Sequence, residues 1–533
     1  MTYDSGTRKR LSLLLGLAAL LGLCLPVLGQ GDWWDDAVFY EVFVRSFQDS
    51  DGDGIGDLQG LIDRLDYLND GDPGTHNDLG ITALWLMPIC ESPSYHGYDV
   101  TDYYAIESDY GTMDDFRQLL EEAHARGIRV VVDLVLNHTS NQHPWFVESK
   151  NAGSAYRDWY IWETGLRSGR GPWGQQVWHF GITGYYYGLF WRGMPDLNYR
   201  NPNVSSQMFD VVRFWLEDVG VDGFRLDAIR HLIESGERAS NTMATHLWLT
   251  ALRSVAKDAS EQGLLLGEVW DTPGAIAPYL DGKLDLCFEF SLADAILNGV
   301  AQSSSLHIKA ALETVLGTYA PGNYATFLAN HDQERTMTRL GDDVAKAKLA
   351  ASIQLTLPGT PFIYYGEEIG MTGTKPDERI RTPMQWDPLE GGGFTYETPW
   401  QPLAEDALFR TVFAQTWESD SLLSRYRALI RIRNAHPALS TGNVSWVDTG
   451  TAGVASYVRQ LEGQTLWILH NLTDQSLQPV LAPGSAVGSG SHRAGDLLAG
   501  STFEFTVHAS GALGEGFPTL MPFETRILDL SGA

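Results

Sequence analysis

Cysteine is nearly absent from this chain, with only Cys24, Cys90 and Cys287 in 533 residues. So small a number excludes a disulfide scaffold and a cysteine-built metal centre. Cys90 and Cys287 fall on the second and sixth of eight strand-like runs, on opposite sides of a barrel and too far apart to bridge, so they read as buried packing residues. Basic residues are scarce too: 37 Lys and Arg against 67 Asp and Glu leave a net charge of −30. A surface of that sign does not gather phosphates, which excludes nucleic acid as a partner. Nor does any apolar run reach the roughly 18–20 residues of a spanning helix. The longest, Leu11–Leu25, follows Arg8-Lys9-Arg10 and precedes Val27-Leu28-Gly29, the pattern of a secretory signal peptide over residues 1–29. A secreted protein with no membrane association is expected once the leader is removed. A lipid-anchored form through Cys24 is the lesser alternative, because Leu23 is bulkier than that processing accepts.

The chain does have aromatic residues and short apolar runs in quantity. Seventeen Trp and 22 Tyr stand among 44% apolar residues, the composition of a folded protein rather than a disordered one. Eight apolar runs, at Ala37–Phe47, Ile81–Ile89, Arg129–Asn137, Gly223–Ala228, Gly263–Trp270, Leu286–Ser291, Ala325–Asn330 and Pro361–Tyr365, alternate with helix-like segments such as Asp114–Ala125, Gln207–Asp218 and Ala345–Leu355. That alternation predicts an α/β fold, a TIM (β/α)8 barrel formed by residues 30–138 and 204–438. Residues 139–203 lack periodicity and read as a subdomain inserted after the third strand. Between Tyr156 and Trp191, 12 of 36 residues are aromatic. They suit either the packing of a small subdomain or stacking on the apolar faces of sugars at the barrel mouth. From 439 to 533 the pattern changes to alternating strands with Gly and Ser turns, a C-terminal antiparallel β-sandwich domain.

Four segments end apolar runs with acids and histidines: Asp133-Leu134-Val135-Leu136-Asn137-His138, Gly223-Phe224-Arg225-Leu226-Asp227, Gly267-Glu268-Val269-Trp270 and Asn330-His331-Asp332. Side chains at the strand ends of a barrel converge on one mouth. Two carboxylates there serve glycoside hydrolysis, one as nucleophile and the other, with a raised pKa, as general acid and then base. A third can stabilise a positive transition state, and Arg225 offers Asp227 a charge partner.

Taken together these segments resemble the conserved regions of the α-amylase superfamily, glycoside hydrolase family 13, from about residue 35 onward. The resemblance implies Asp227 as nucleophile, Glu268 as acid/base and Asp332 as transition-state stabiliser. It implies that Tyr98, Asp99, His138, Arg225, His331 and Arg381 bind the sugar at the cleavage point. Gly366-Glu367-Glu368-Ile369-Gly370 and Arg381-Thr382-Pro383-Met384-Gln385-Trp386 are similar to oligo-1,6-glucosidases. Met194-Pro195-Asp196-Leu197-Asn198 resembles the group intermediate between those enzymes and neopullulanases. Ala228 and Arg230-His231 look like α-1,4-acting members. The expectation is a retaining α-amylase, monomeric, acting on starch or maltooligosaccharides. An exo-acting α-glucosidase, a trehalose-forming transglycosylase and a non-catalytic carbohydrate-binding homologue are the alternatives.

One acidic loop suits a metal. Asp49-Ser50-Asp51-Gly52-Asp53-Gly54-Ile55-Gly56-Asp57 places carboxylates at alternate positions with glycines turning the backbone, the chemistry of a hard cation such as calcium (Ca2+). The twelfth position is Gly60 and not the glutamate of an EF-hand. The resemblance gives the ligands as Asp49, Asp51, Asp53, Asp57 and the carbonyl of Ile55. A second calcium site is implied at Asn137, Asp196 and the carbonyl of His231.

Overall fold

Each of the eight apolar runs forms a strand in the computed structural model, which describes residues 31–531 apart from 166, 168, 405 and 483. The expected leader, residues 1–29, lies outside the described residues. The strands are β1 (Phe39–Val42), β2 (Ala83–Leu86), β3 (Arg129–Leu134), β4 (Gly223–Leu226), β5 (Leu264–Gly267), β6 (Leu286–Phe288), β7 (Tyr324–Thr326) and β8 (Thr360–Tyr364). Every neighbour is parallel, and β1 pairs with both β2 and β8, which closes the barrel.

The strands are apolar throughout because both faces are covered. Alternate side chains turn inward, and Phe39, Trp85, Val131, Leu264, Leu266, Phe288 and Phe362 fill the interior. The Phe39 and Phe362 rings stack there at 4.2 Å. Their neighbours Tyr40, Leu84, Val130, Val132, Phe224 and Leu265 face the helical ring. The helix Met113–Ala125 shows how that ring is built. A reciprocal cap between Thr112 and Asp115 starts it, and Phe116, Leu119, Leu120 and Ala123 lie on its buried stripe.

Two readings from the sequence change. Cys90 is not on a barrel strand, since the chain has left the barrel after Leu86 and Cys90 pairs instead with Ile106 in a short antiparallel ribbon. Both it and Cys287, which is on β6, are buried free thiols. Ala345–Leu355 is helical but not amphipathic. In the helix Val344–Thr356 even Ser352, Gln354 and Thr356 are buried, because the C-terminal domain covers the face that would otherwise meet water.

Between β3 and the helix Pro202–Arg213 the insertion forms a small antiparallel sheet of Trp162–Glu163, Gly184–Tyr187 and Trp178–Gly181, with Gly184–Tyr187 in the centre. Its aromatics fall into two sets. Phe146, Tyr160, Trp162 and Tyr186 pack on one another, whereas Trp173, Phe180 and Trp191 are exposed.

The C-terminal domain has six antiparallel strands: β9 (Asn443–Trp446), β10 (Val454–Leu461), β11 (Gln464–Asn471), β12 (Gly490–Asp496), β13 (Ser501–Val507) and β14 (Thr525–Asp529). A two-residue turn joins β10 to β11 with Gly463 at φ 76°, a left-handed conformation that glycine adopts at little cost. Trp467, Leu469, Phe505 and Phe517 form this domain's own core. Among the described residues no helix is long and apolar enough to cross a membrane.

Candidate active site

Arg225 organises the barrel mouth. On β4 it lies opposite Asp133 of β3 in the strand register, fully buried, with its guanidinium 5.1 Å from the Trp85 ring below. Its Nη1 donates to both Asp133 oxygens at 3.0 Å and to Asp227 Oδ1 at 2.7 Å, and its Nη2 is 2.9 Å from Glu268 Oε2. One cation therefore holds three carboxylates. Two of them, Asp227 and Glu268, bond to the two ends of the same planar group.

Three buried acids around one charge cannot all ionise freely. Burial pushes Asp227 and Glu268 each up to about 7, and Asp133 up to about 6, with Arg225 pulling all three back toward the charged form. Ala228 adds a backbone donor to Glu268. Its φ of 48° is left-handed, a conformation that costs a non-glycine residue on the order of 1–2 kcal/mol, and its N–H points at Glu268 Oε2 at 2.9 Å.

Asp332 is arranged differently. Its Oδ1 takes a bond from Arg381 Nη2 at 2.8 Å, and its Oδ2 is 3.4 Å from His331 Nε2. Burial would raise its pKa, yet His331, Arg381 and Arg225 outweigh burial and hold it below the ordinary carboxylate range. His331 bonds to Glu41 Oε1 at 2.6 Å through Nδ1 and to the Tyr98 hydroxyl at 2.7 Å through Nε2. Burial lowers His331 and raises Glu41. Tyr98 stacks on His331 at 5.6 Å and donates to Asp133 Oδ2 at 3.1 Å.

Of the residues expected from sequence, Tyr98, His138, Asp227, Glu268, Asp332 and Arg381 line one cleft of about 330 Å³. Arg225 and His331 lie directly beneath them. His138 is held by a bond from Nε2 to the Tyr98 carbonyl at 3.0 Å. Asp99 is not among the cleft-lining residues; it accepts from the Ser92 hydroxyl at 2.9 Å and from that of Ser94, and its Oδ1 is 3.9 Å from Nδ1 of His96.

Sequence reasoning missed several participants. Asp133 stood inside a quoted segment, and the signal was an acid in an apolar strand opposite Arg225. Glu41 carried the same signal as a lone charge in Phe39-Tyr40-Glu41-Val42. His96 and Asp377 also line the cleft, but nothing in their spacing marked them; Phe190 and Trp191, at the end of the aromatic-rich stretch, line it as well.

The acidic loop brings three of its five expected ligands together, since oxygens of Asp49, Asp51 and Asp57 lie within 4.8 Å of one another. Asp53 is exposed, lies outside this group and accepts from the Ile55 N–H at 2.7 Å. Three converging carboxylates with oxygen-only donors fit a hard cation. At the second place, the Asn137 amide donates to Asp196 Oδ2 at 3.1 Å. The Asn137 Oδ1 is buried without a hydrogen-bond partner, and so is Oε1 of Glu234, an acid not singled out from sequence. Burial and the proximity of Glu234 drive Asp196 well above its usual range. This set also fits a hard cation. The His231 ring turns elsewhere, with Nδ1 on the Ala239 carbonyl at 2.7 Å.

The family described as alpha amylase, catalytic domain, matches residues 41–442. This chain belongs to the α-amylase family. Among its α-amylase relatives, alpha-amylase 3 of Dictyoglomus thermophilum is 45% identical over 83% of this chain and 85% of its own length. An oligo-1,6-glucosidase of Parageobacillus thermoglucosidasius is 33% identical over 83% of this chain and 91% of its own. The crystal structure of an alpha-amylase from H. orenii superposes with a TM-score of 0.83 at 41% identity, covering 93% of this chain and 99% of that one.

Proposed function

We propose that this amylase-family protein is a secreted retaining α-glucan hydrolase that cuts α-1,4 bonds in starch or maltooligosaccharides. The observation that carries this reading is the Arg225 bridge between Asp227 and Glu268, both with pKa values raised to about 7. Near neutrality one carboxyl of such a pair is protonated and its partner charged, the state that double displacement requires.

In the first step Glu268 gives its proton to the glycosidic oxygen as Asp227 attacks the anomeric carbon. The bond to the departing sugar breaks and an ester to Asp227 forms. In the second step Glu268 takes a proton from water, whose oxygen displaces Asp227 and releases the sugar with its original configuration. Asp332, kept ionised beside Arg381, opposes the positive charge that develops on the ring in each step. Tyr98, stacked on His331, supplies a flat face for that ring.

The acidic loop, through Asp49, Asp51 and Asp57, would hold calcium and pin the loop against Thr395, whose hydroxyl bonds Asp49 Oδ2 at 2.6 Å. A second calcium would be held by Asn137, Asp196 and Glu234 with the His231 carbonyl. In both places its chemistry is the compensation of clustered negative charge.

Proton NMR of maltoheptaose digests tests the reading. The expected first product carries the α-anomeric proton, and initial β-anomer would overturn it. The second reading is an exo-acting α-glucosidase, favoured by the oligo-1,6-glucosidase relative, and it is distinguished by glucose and maltohexaose as the only early products from maltoheptaose or by rapid cleavage of isomaltose.

A further inference from the structure

One exposed ring near the cleft has no packing role that accounts for its position. Trp173 occupies the tip of a tight hairpin in the insertion. The turn is closed by Gly171 N–H to the Gln175 carbonyl at 2.9 Å and Gly174 N–H to the Gly171 carbonyl at 2.9 Å. Gln175 then braces it on both sides, accepting from the Trp173 N–H at 3.0 Å and donating to the Leu189 carbonyl at 2.9 Å. On this fixed support the indole is 62% exposed, although burying it would remove a large apolar area from water. One neighbour is Phe190, stacked at 5.6 Å and 28°, and the edge of His231 is 5.6 Å away. Phe190 is itself a wall of the cleft, so Trp173 extends that wall outward.

The side of the cleft follows from the chemistry. Tyr98, His331, Asp332 and Arg381 enclose the sugar that becomes bonded to Asp227, whereas the departing oxygen meets Glu268. The leaving segment therefore runs past Ala228 and the turn Ile229–His231. Arg230 ties that turn to the loop after β5, with Nη2 3.1 Å from Asp271 Oδ2. Trp173 stands over this same turn through its contact with His231.

We propose that Trp173 is a stacking platform for a glucosyl unit of the leaving segment, so that it selects longer α-glucans over short ones. This rests on the glucan-hydrolase reading above. An apolar ring face beside a reactive cleft matches the face of a pyranose, which presents C–H groups to the ring and its hydroxyls to water at the rim.

The test compares two substrates on purified Trp173→Ala, Trp173→Phe and the unaltered protein. Maltoheptaose has glucosyl units to place on the ring. 4-Nitrophenyl α-maltoside, followed by nitrophenol release, has a leaving group of a single ring and no glucosyl unit to place there. Trp173→Ala should lower kcat/KM on maltoheptaose by about tenfold, carried by KM, and leave the nitrophenyl substrate unchanged. Trp173→Phe should recover most of the loss. An equal loss on both substrates, or no loss on either with the unaltered protein active, overturns the platform alone. An unaltered protein inert on maltoheptaose overturns the functional reading and the platform with it.

Discussion

Arg225 and Asp133 face each other across neighbouring barrel strands, and a single guanidinium nitrogen lies 3.0 Å from both carboxylate oxygens. Asp133 thereby takes part of the charge that would otherwise fall on Asp227 and Glu268. Asp133→Asn removes one negative neighbour, so the remaining two acids should ionise more readily. The alkaline limb of the kcat/KM profile is expected to move to lower pH in that variant, and an unmoved limb would show that Asp133 has no electrostatic share in the site.

Removing the cation has the opposite sign and a larger cost. Arg225→Met leaves three buried carboxyls without their partner. Breaking a buried ion pair in this way costs about 3–5 kcal/mol, which denaturant unfolding would measure. Asp227 and Glu268 should both become harder to ionise, so surviving activity would shift toward alkaline pH.

The pH profile of the unaltered protein follows from the same pair. Asp227 must be charged to attack, so activity falls as pH drops below about 7; Glu268 must hold a proton, so activity also falls as pH rises above about 7. A bell centred near neutrality is expected, its two limbs belonging to the coupled pair rather than to either residue. A plateau reaching well into the alkaline range would contradict the assignment of Glu268 as acid.

Leaving-group chemistry separates the two roles. The fluoride of α-maltosyl fluoride departs without needing a proton. Glu268→Gln should thus lose at least about a thousandfold on maltoheptaose, yet retain a burst of fluoride release. Asp227→Asn should be inert on both substrates, and similar behaviour of the two variants would remove the division of labour.

Metal removal is expected to act on stability. Chelation should lower the thermal midpoint by several degrees, with recovery on calcium; Asp49→Ala should reduce the difference between chelated and calcium-loaded protein, and Asp49→Ala combined with Asp196→Ala should abolish it. Equal midpoints in both conditions for the unaltered protein would leave the acidic loop without a cation. Asp57 has a second job as the cap of the helix Leu58–Asp63, accepting from the Gly60 N–H, so Asp57→Ala should cost about a further 1 kcal/mol even under chelation.

The barrel was legible because its strands are buried on both faces and therefore read as unbroken apolar runs, four of them ending where charged residues enter the mouth. Ala345–Leu355 misled for the complementary reason: serine, glutamine and threonine mimic a solvent-facing stripe, and only the domain above shows that they are covered. At the site, Asp227, Glu268 and Asp332 stood out as acids at strand ends. Glu234 did not, being one acid among several in an irregular stretch brought to Asp196 only by tertiary folding. Trp173 was one of many aromatics without a period, and its difference from Tyr160 or Tyr186 lies in a hairpin that no local pattern announces.

The junction over Val344–Thr356 has a consequence for dissection of the protein. Thr356 Oγ1 meets the Tyr457 hydroxyl at 2.7 Å, and its carbonyl takes Arg459 Nη1 at 2.8 Å, so the barrel's own outer shell is finished by the last module. Truncation near residue 442 would strip that cover and leave a wet seam along a helix composed for dryness. The catalytic half, expressed by itself, should aggregate.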